Sequence, residues 1–264
     1  MSLESAAFPV IERLHLPLAY VDAVSGAGGI PLCIPPYEDY GKVRKIIPIL
    51  HGFLFIGGAD YRPEHYGGHP QPEEELVPPR RDHFDIALAK IILEETELPV
   101  LGICGGHQLL AIARGGAMIQ DIGTEWQPAN GGPPLPHSRQ DRECPGLTGS
   151  EAGYSFRHPI CFRPQSLAAR ATGTPAGRAL SANSFHHQAI HPDRVGRDLI
   201  ASAWSSDGII EAIEPAPGSP WAITNRFVLG VQWHPERIPA EKPHRHLFRS
   251  LIRAASESGV FHEK

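Results

Sequence analysis

The stretch Leu98 to Gly116, LPVLGICGGHQLLAIARGG, constrains the fold of this chain more than any other. Pro99 opens a short apolar run, Val100 to Ile103, of the kind that forms a buried parallel strand. Cys104 closes that run. Gly105 and Gly106 follow, then Leu109, Leu110, Ile112 and Ala113 at helical spacing, stopped by Gly115-Gly116. The pattern predicts strand, sharp turn and helix with a cysteine on the turn, the arrangement of a nucleophile elbow with sulfur in place of oxygen. A thiol there faces unpaired backbone N–H groups and the positive end of the helix dipole, which favours its thiolate. The plainer reading is a buried structural cysteine, since free cysteine is among the most buried residue types. The strand before it and the glycine pair after it favour the nucleophile.

Apolar and short segments alternate upstream. Leu16 to Ala27 reads as a helix, Ile30 to Ile34 as a strand, Tyr37 to Ile47 as a helix and Gly52 to Ile56 as a strand running into Gly57-Gly58. Ala59 to Pro79 is a Gly-, Pro- and Glu-rich loop, too long to be idle, in which Glu73 to Glu75 reads as a solvated face. Arg80 to Thr96 is a helix that feeds the central strand. This alternation predicts an α/β fold: a flavodoxin-like, mostly parallel central sheet flanked by helices, with ligands at the carboxyl ends of strands.

From Ile122 to Gly153 periodicity vanishes, and this excursion is either a lid or disordered. A small antiparallel β-rich section follows, with strands at His158 to Phe162, Ser181 to Phe185, Leu199 to Trp204 and Ile209 to Ile213. The last two flank the turn signal Ser206-Asp207-Gly208. Phe227 to Gln232 is a further buried strand, and Pro243 to Ser256 a closing helix. No repeat or linker divides the 264 residues, so one domain spanning 1–264 is expected.

Composition excludes several classes. With 41% apolar and 20% charged residues the chain is globular, and a net charge of −5 argues against nucleic acid as a partner. The four cysteines form no C-x-x-C pair, so neither a disulfide framework nor a zinc cage is expected. No apolar run is long enough for a membrane span and Met1 to Ile11 does not resemble a secretory signal, so a cytoplasmic location is expected. No P-loop or dinucleotide fingerprint is present.

A second chemical constellation ends the last strand. His234 and Glu236 flank Pro235. A thiol nucleophile needs an imidazole that can take and return a proton, and the imidazole needs a carboxylate to orient it. With fifteen histidines, most must be structural. His234 stands out because it leaves a buried strand as Cys104 does. Ser184 to Gln188, with His191, reads as a metal cluster or as a substrate pocket. No carboxylate or thiol lies nearby in sequence and no standard zinc spacing is present, so the pocket is favoured and no metal is expected. His244 and His246 open a helix and read as surface residues.

Together, Gly102-Ile103-Cys104-Gly105-Gly106-His107-Gln108 and Val231-Gln232-Trp233-His234-Pro235-Glu236 resemble the class I glutamine amidotransferase-like superfamily. Gly57 to Tyr66, Asn183 to Gln188 and Asp207 to Ala212 are similar to its γ-glutamyl-γ-aminobutyrate hydrolase branch. The resemblance implies a Cys104–His234–Glu236 triad acting through a thioester, an oxyanion hole from the N–H groups of Gly58 and Gly105, and substrate contacts from Asp60, Gln108, His186 and His187. It implies no cofactor. The partner would be a small γ-glutamyl amide, such as γ-glutamyl-GABA or a γ-glutamyl polyamine, with a homodimer left open. Alternatives are a glutaminase subunit that feeds ammonia to a synthase, or an inactive binding homologue. Family members begin with an Ile/Val-rich strand. Here Phe8 to Ile11 fills that position, or the sheet lacks it.

Overall fold

The computed structural model describes residues 14–138 and 156–257. In the first half of the chain, α1 (Leu18–Gly26), α2 (Tyr40–Ile46), β1 (Phe53–Phe55), α3 (Pro79–Glu95), β2 (Val100–Ile103) and α4 (Gly105–Ala113) follow one another. A short strand β3 (Met118–Ile119) and helix α5 (Ile122–Glu125) come next. The second half contains β4 (Phe156–Phe162), α6 (Leu167–Thr172), β5 (Leu180–Ser184), β6 (Ala189–Ile190), β7 (Leu199–Ser205) and β8 (Ile210–Pro215). It closes with α7 (Pro220–Ile223), β9 (Val228–Val231) and α8 (Lys242–Glu257).

Seven strands form one sheet in the order β1-β2-β9-β8-β7-β4-β5, and β3 pairs with β6 in a separate antiparallel ribbon. The α/β class holds, but the expected mostly parallel sheet does not. Only β1, β2 and β9 run parallel, whereas β8, β7, β4 and β5 join them antiparallel. The cause lies in the connections. Helices carry the chain back between the parallel strands, while β7 turns directly into β8 at Ser206-Asp207-Gly208, with Gly208 at φ 90°. The antiparallel section is therefore part of the main sheet.

Ile30 to Ile34, expected as a strand, is irregular. Pro31 and Pro35 supply no N–H to a ladder, and Ile30 and Leu32 are 89% and 58% exposed. Phe8 to Ile11, expected as an opening strand, lies outside the described residues, and among those described β1 forms one edge of the sheet. His244, expected at the surface, is fully buried: its Nδ1 accepts from Trp233 Nε1 at 3.1 Å and its Nε2 donates to the Ser181 carbonyl at 3.2 Å. Of the excursion from Ile122, residues 139–153 lie outside the described set. The described part opens with α5 and packs on the β7–β8 turn, where Trp126 Nε1 donates to the Asp207 carbonyl at 2.8 Å.

The central strands are held in place from behind. Pro79 starts α3 at a position where a missing N–H costs nothing. The far end of α3 is capped by a buried guanidinium: Arg226 donates to the carbonyls of Ile92, Leu93 and Leu98 at 2.8, 3.0 and 2.9 Å. One side chain thus ties the end of α3 to the residues that open β2 and β9.

The elbow is packed to its limit. A β-carbon on Gly106 would stand 2.1 Å from the carbonyl oxygen of Phe55 in β1. Gly106→Ala therefore forces β1 and α4 apart. The expected cost is about 3 kcal/mol or more, read as a lowered denaturant midpoint; unchanged stability would mean that this contact is not as tight as described.

Candidate active site

Cys104 sits between β2 and α4 with φ 51° and ψ −108°, a left-handed conformation that a β-carbon resists. Its N–H donates to the Val231 carbonyl at 2.8 Å, and its carbonyl accepts the Gln108 N–H at 3.1 Å, the first bond of the helix. The thiol thus leaves the sheet at the carboxyl end of β2, where a nucleophile elbow places it.

The register of the sheet explains how distant residues meet. Ile103 lies opposite Val231 in the parallel β2–β9 pair, so His234, three residues past β9, stands beside Cys104. The two side chains are close enough for the charge of the sulfur to act on the imidazole. His234 Nδ1 donates to Glu236 Oε1 at 2.6 Å. Asn183 clamps the His234 backbone from both sides, accepting from its N–H at 3.0 Å and donating to its carbonyl at 2.9 Å. The edge of Phe185 meets the imidazole with ring centroids 5.7 Å apart. Cys104, His234 and Glu236 are 5%, 4% and 3% exposed, so all three are buried.

Burial alone would lower the His234 pKa, but the negative charge of Cys104, reinforced by Glu236, raises it to about 9. Tyr20 lies against the same group. Burial first, then the negative charges of Glu236 and Cys104, hold its phenol protonated, and its oxygen accepts the Gly57 N–H at 3.1 Å.

Gly57 and Gly58 bring the end of β1 against the nucleophile. A β-carbon on Gly57 would stand 3.1 Å from His234 Cε1 and 3.3 Å from Cys104 Cβ. A β-carbon on Gly105 would approach the Gly58 nitrogen to 3.3 Å, so the backbones of the two expected oxyanion-hole glycines are neighbours.

The expected substrate contacts separate into three places. Gln108 is buried at the sulfur: its Nε2 donates to the Gln188 carbonyl at 3.1 Å and faces Gln232 Oε1 at 3.4 Å, while Gln232 Nε2 lies 3.6 Å from Cys104 Sγ. Asp60 and His187 bind each other, His187 Nε2 donating to Asp60 Oδ2 at 3.0 Å with Asp121 on the other ring nitrogen. Those carboxylates, Asp60 first, raise the His187 pKa despite its burial. His186 points elsewhere, into a buried group with His137, His158 and Glu211. Gln232, Tyr20 and the clamping role of Asn183 escaped the sequence reading. Gln232 sits inside the His234 motif and Asn183 heads the Ser184–Gln188 stretch, whereas Tyr20 carries no local signal on its helix.

The profile of the peptidase C26 family matches residues 1–236. The chain belongs to the peptidase C26 family. It is class I glutamine amidotransferase-like, as the paired cysteine and His-Pro-Glu motifs imply. A Mycobacterium tuberculosis protein provisionally named a glutamine amidotransferase is 34% identical over 245 residues, covering 92% of this chain and 68% of its own length. The γ-glutamyl-γ-aminobutyrate hydrolase PuuD of Escherichia coli K12 is 29% identical over 238 residues, covering 89% and 84%. In fold, this C26 chain is similar to the glutaminase domain of Trypanosoma brucei CTPS, with a TM-score of 0.57 at 16% identity over 91% of this chain and 88% of that one. Among the described residues no helix is long and apolar enough to cross a membrane.

The raised His234 pKa sets a pH dependence. An imidazolium that loses its proton near pH 9 gives kcat/KM an alkaline limb with an apparent pKa of about 9. Removing the sulfur in Cys104→Ala removes the main raising influence, so the His234 resonance followed by NMR should titrate at lower pH. A titration that stays near 9 without the sulfur would show that Cys104 is not its partner.

Proposed function

We propose that this C26-family amidohydrolase cleaves the γ-glutamyl amide of a small amine, releasing glutamate and the free amine. The observation that carries the reading is Cys104 set beside the hydrogen-bonded His234–Glu236 pair at two neighbouring strand ends. PuuD, a named γ-glutamyl-γ-aminobutyrate hydrolase, supports the substrate class through its similarity over most of both chains.

The chemistry follows from the positions. His234 Nε2, left facing the sulfur because Nδ1 is bound to Glu236, takes the Cys104 proton. The sulfur adds to the amide carbon, and the carbonyl oxygen becomes an oxyanion facing the N–H groups of Gly58 and Gly105. One such donor contributes about 3 kcal/mol to transition-state stabilisation. His234 returns its proton to the leaving nitrogen, the C–N bond breaks, and a glutamyl thioester remains on Cys104. Water then loses a proton to His234 and adds to the thioester carbon. Expulsion of the thiolate releases glutamate. Glu236 fixes the tautomer and stabilises the imidazolium.

The glutaminase reading keeps the same steps with ammonia as the leaving group. The provisional amidotransferase name of the Mycobacterium tuberculosis relative favours it. Incubation with a panel of γ-glutamyl amines and with glutamine, reading glutamate and ammonia separately, distinguishes the two. Turnover of the γ-glutamyl amines well above that of glutamine is expected; glutamine as the preferred substrate would replace the first reading by the second.

Two variants test the residues. Cys104→Ala should release no glutamate above background. Glu236→Gln, which leaves the shape but removes the charge, should lower kcat by roughly 10² to 10⁴. Glutamate release that survives Cys104→Ala would remove the proposed nucleophile.

A further inference from the structure

Beneath the antiparallel part of the sheet, four polar side chains meet in a fully enclosed space. His137 precedes β4, His158 lies on β4, His186 follows β5 and Glu211 lies on β8, and their side chains are between 0% and 5% exposed. Three imidazole nitrogens surround one carboxylate oxygen. Glu211 Oε1 is 3.5 Å from His158 Nε2, 3.7 Å from His186 Nε2 and 3.7 Å from His137 Nδ1. The four ligand-type atoms all lie within 4.8 Å of one another.

These separations are too long for good hydrogen bonds. Both oxygens of Glu211, both ring nitrogens of His158 and Nε2 of His186 are buried without a hydrogen-bond partner. Buried polar atoms are normally satisfied, and three of these orphans, His158 Nε2, His186 Nε2 and Glu211 Oε1, face one another, which calls for an occupant. Zinc–nitrogen bonds of about 2.0–2.1 Å and zinc–oxygen bonds of about 2.0–2.2 Å place tetrahedral ligand atoms about 3.4 Å apart. The three distances around Oε1 are close to that spacing.

The outer partners agree with this reading. His186 Nδ1 donates to the Gln188 carbonyl at 2.9 Å, which leaves the lone pair of Nε2 turned to the centre. His137 Nε2 donates to Asp207 Oδ2 at 3.1 Å, and Nδ1 lies between the Ser184 hydroxyl at 3.2 Å and Glu211 Oε1 at 3.7 Å. Asp207 is held in turn by the Leu135 N–H at 2.9 Å and by the Ser205 hydroxyl. A carbonyl or carboxylate behind an imidazole is the usual support of a metal ligand, and His186 and His137 each have one.

We propose that His137, His158, His186 and Glu211 form a closed, tetrahedral site for a divalent transition-metal ion, with zinc the ion that the donor set suits best. The role is structural, because four protein ligands leave no position for water or substrate. The ion joins the segment before β4 to β4, β8 and the loop after β5. That loop continues from Asn183, the clamp on His234, and the Gln188 carbonyl that orients His186 also receives the Gln108 amide. The proposal is independent of the amide that the enzyme cleaves.

The test uses the full-length, untagged chain grown with added zinc and purified without chelators. Elemental analysis should find close to one zinc per chain, retained in Cys104→Ala. X-ray absorption at the zinc edge should show only nitrogen and oxygen neighbours, at about 2.0–2.2 Å. Glu211→Gln and His158→Gln should each lower the bound zinc at least tenfold. A wild-type chain that binds no zinc when offered a micromolar excess overturns the proposal, as does sulfur in the absorption spectrum or full zinc retention in both variants. Should either variant fail to fold, the spectrum of the wild-type chain decides.

Discussion

The backbone at Cys104 turns from strand to helix through a left-handed conformation that costs about 1–3 kcal/mol when a β-carbon is present. That turn persists because its surroundings leave it no alternative. The Cys104 N–H is taken by Val231 and its carbonyl by Gln108, while Gly106 rests on the Phe55 carbonyl too closely for any side chain. Other parts of the site are placed relative to this turn: Gly57 at the end of β1 packs against the Cys104 β-carbon, and β9 delivers His234 beside it.

The parallel core of the sheet and its antiparallel half have different tasks. β1, β2 and β9 end together, and their carboxyl ends present Gly57-Gly58, Cys104 and His234 to one another. The antiparallel strands supply support. Asn183 at the end of β5 holds the His234 backbone by two hydrogen bonds, and Phe185 packs its edge on the ring. A buried polar group of three imidazoles and a carboxylate lies directly behind that support. Rigidity at the imidazole therefore depends on strands that contribute no reacting group.

Local signals served well where the physics is local. The central strand and helix, the long helix before them and the closing helix are where apolar spacing and proline or glycine boundaries placed them, because buried faces and caps are written in neighbouring residues. Ile30 to Ile34 misled, since apolar content outweighed the missing N–H groups of Pro31 and Pro35. The later strands misled for another reason: they are antiparallel as expected, but alternation within a strand does not tell whether it forms a separate section or extends the main sheet, and here it extends it. His186 shows the same limit. Its stretch reads as a substrate pocket because no carboxylate lies near it in sequence, yet β8 brings Glu211 to 3.7 Å.

By itself the sequence determined the α/β class, the strand–cysteine–helix turn, the His-Pro-Glu strand end and membership of a family that joins them. Those depend on short-range spacing, which survives in a linear string. Only the tertiary structure decided which groups share a space: Tyr20 and Gln232 at the sulfur, Asn183 on the His234 backbone, Asp60 paired with His187, and four polar groups from the segment before β4, β4, the β5 loop and β8 converging in the interior. Strand order and register set such meetings across long stretches of chain, 128 residues between Cys104 and Gln232, and no local pattern encodes them.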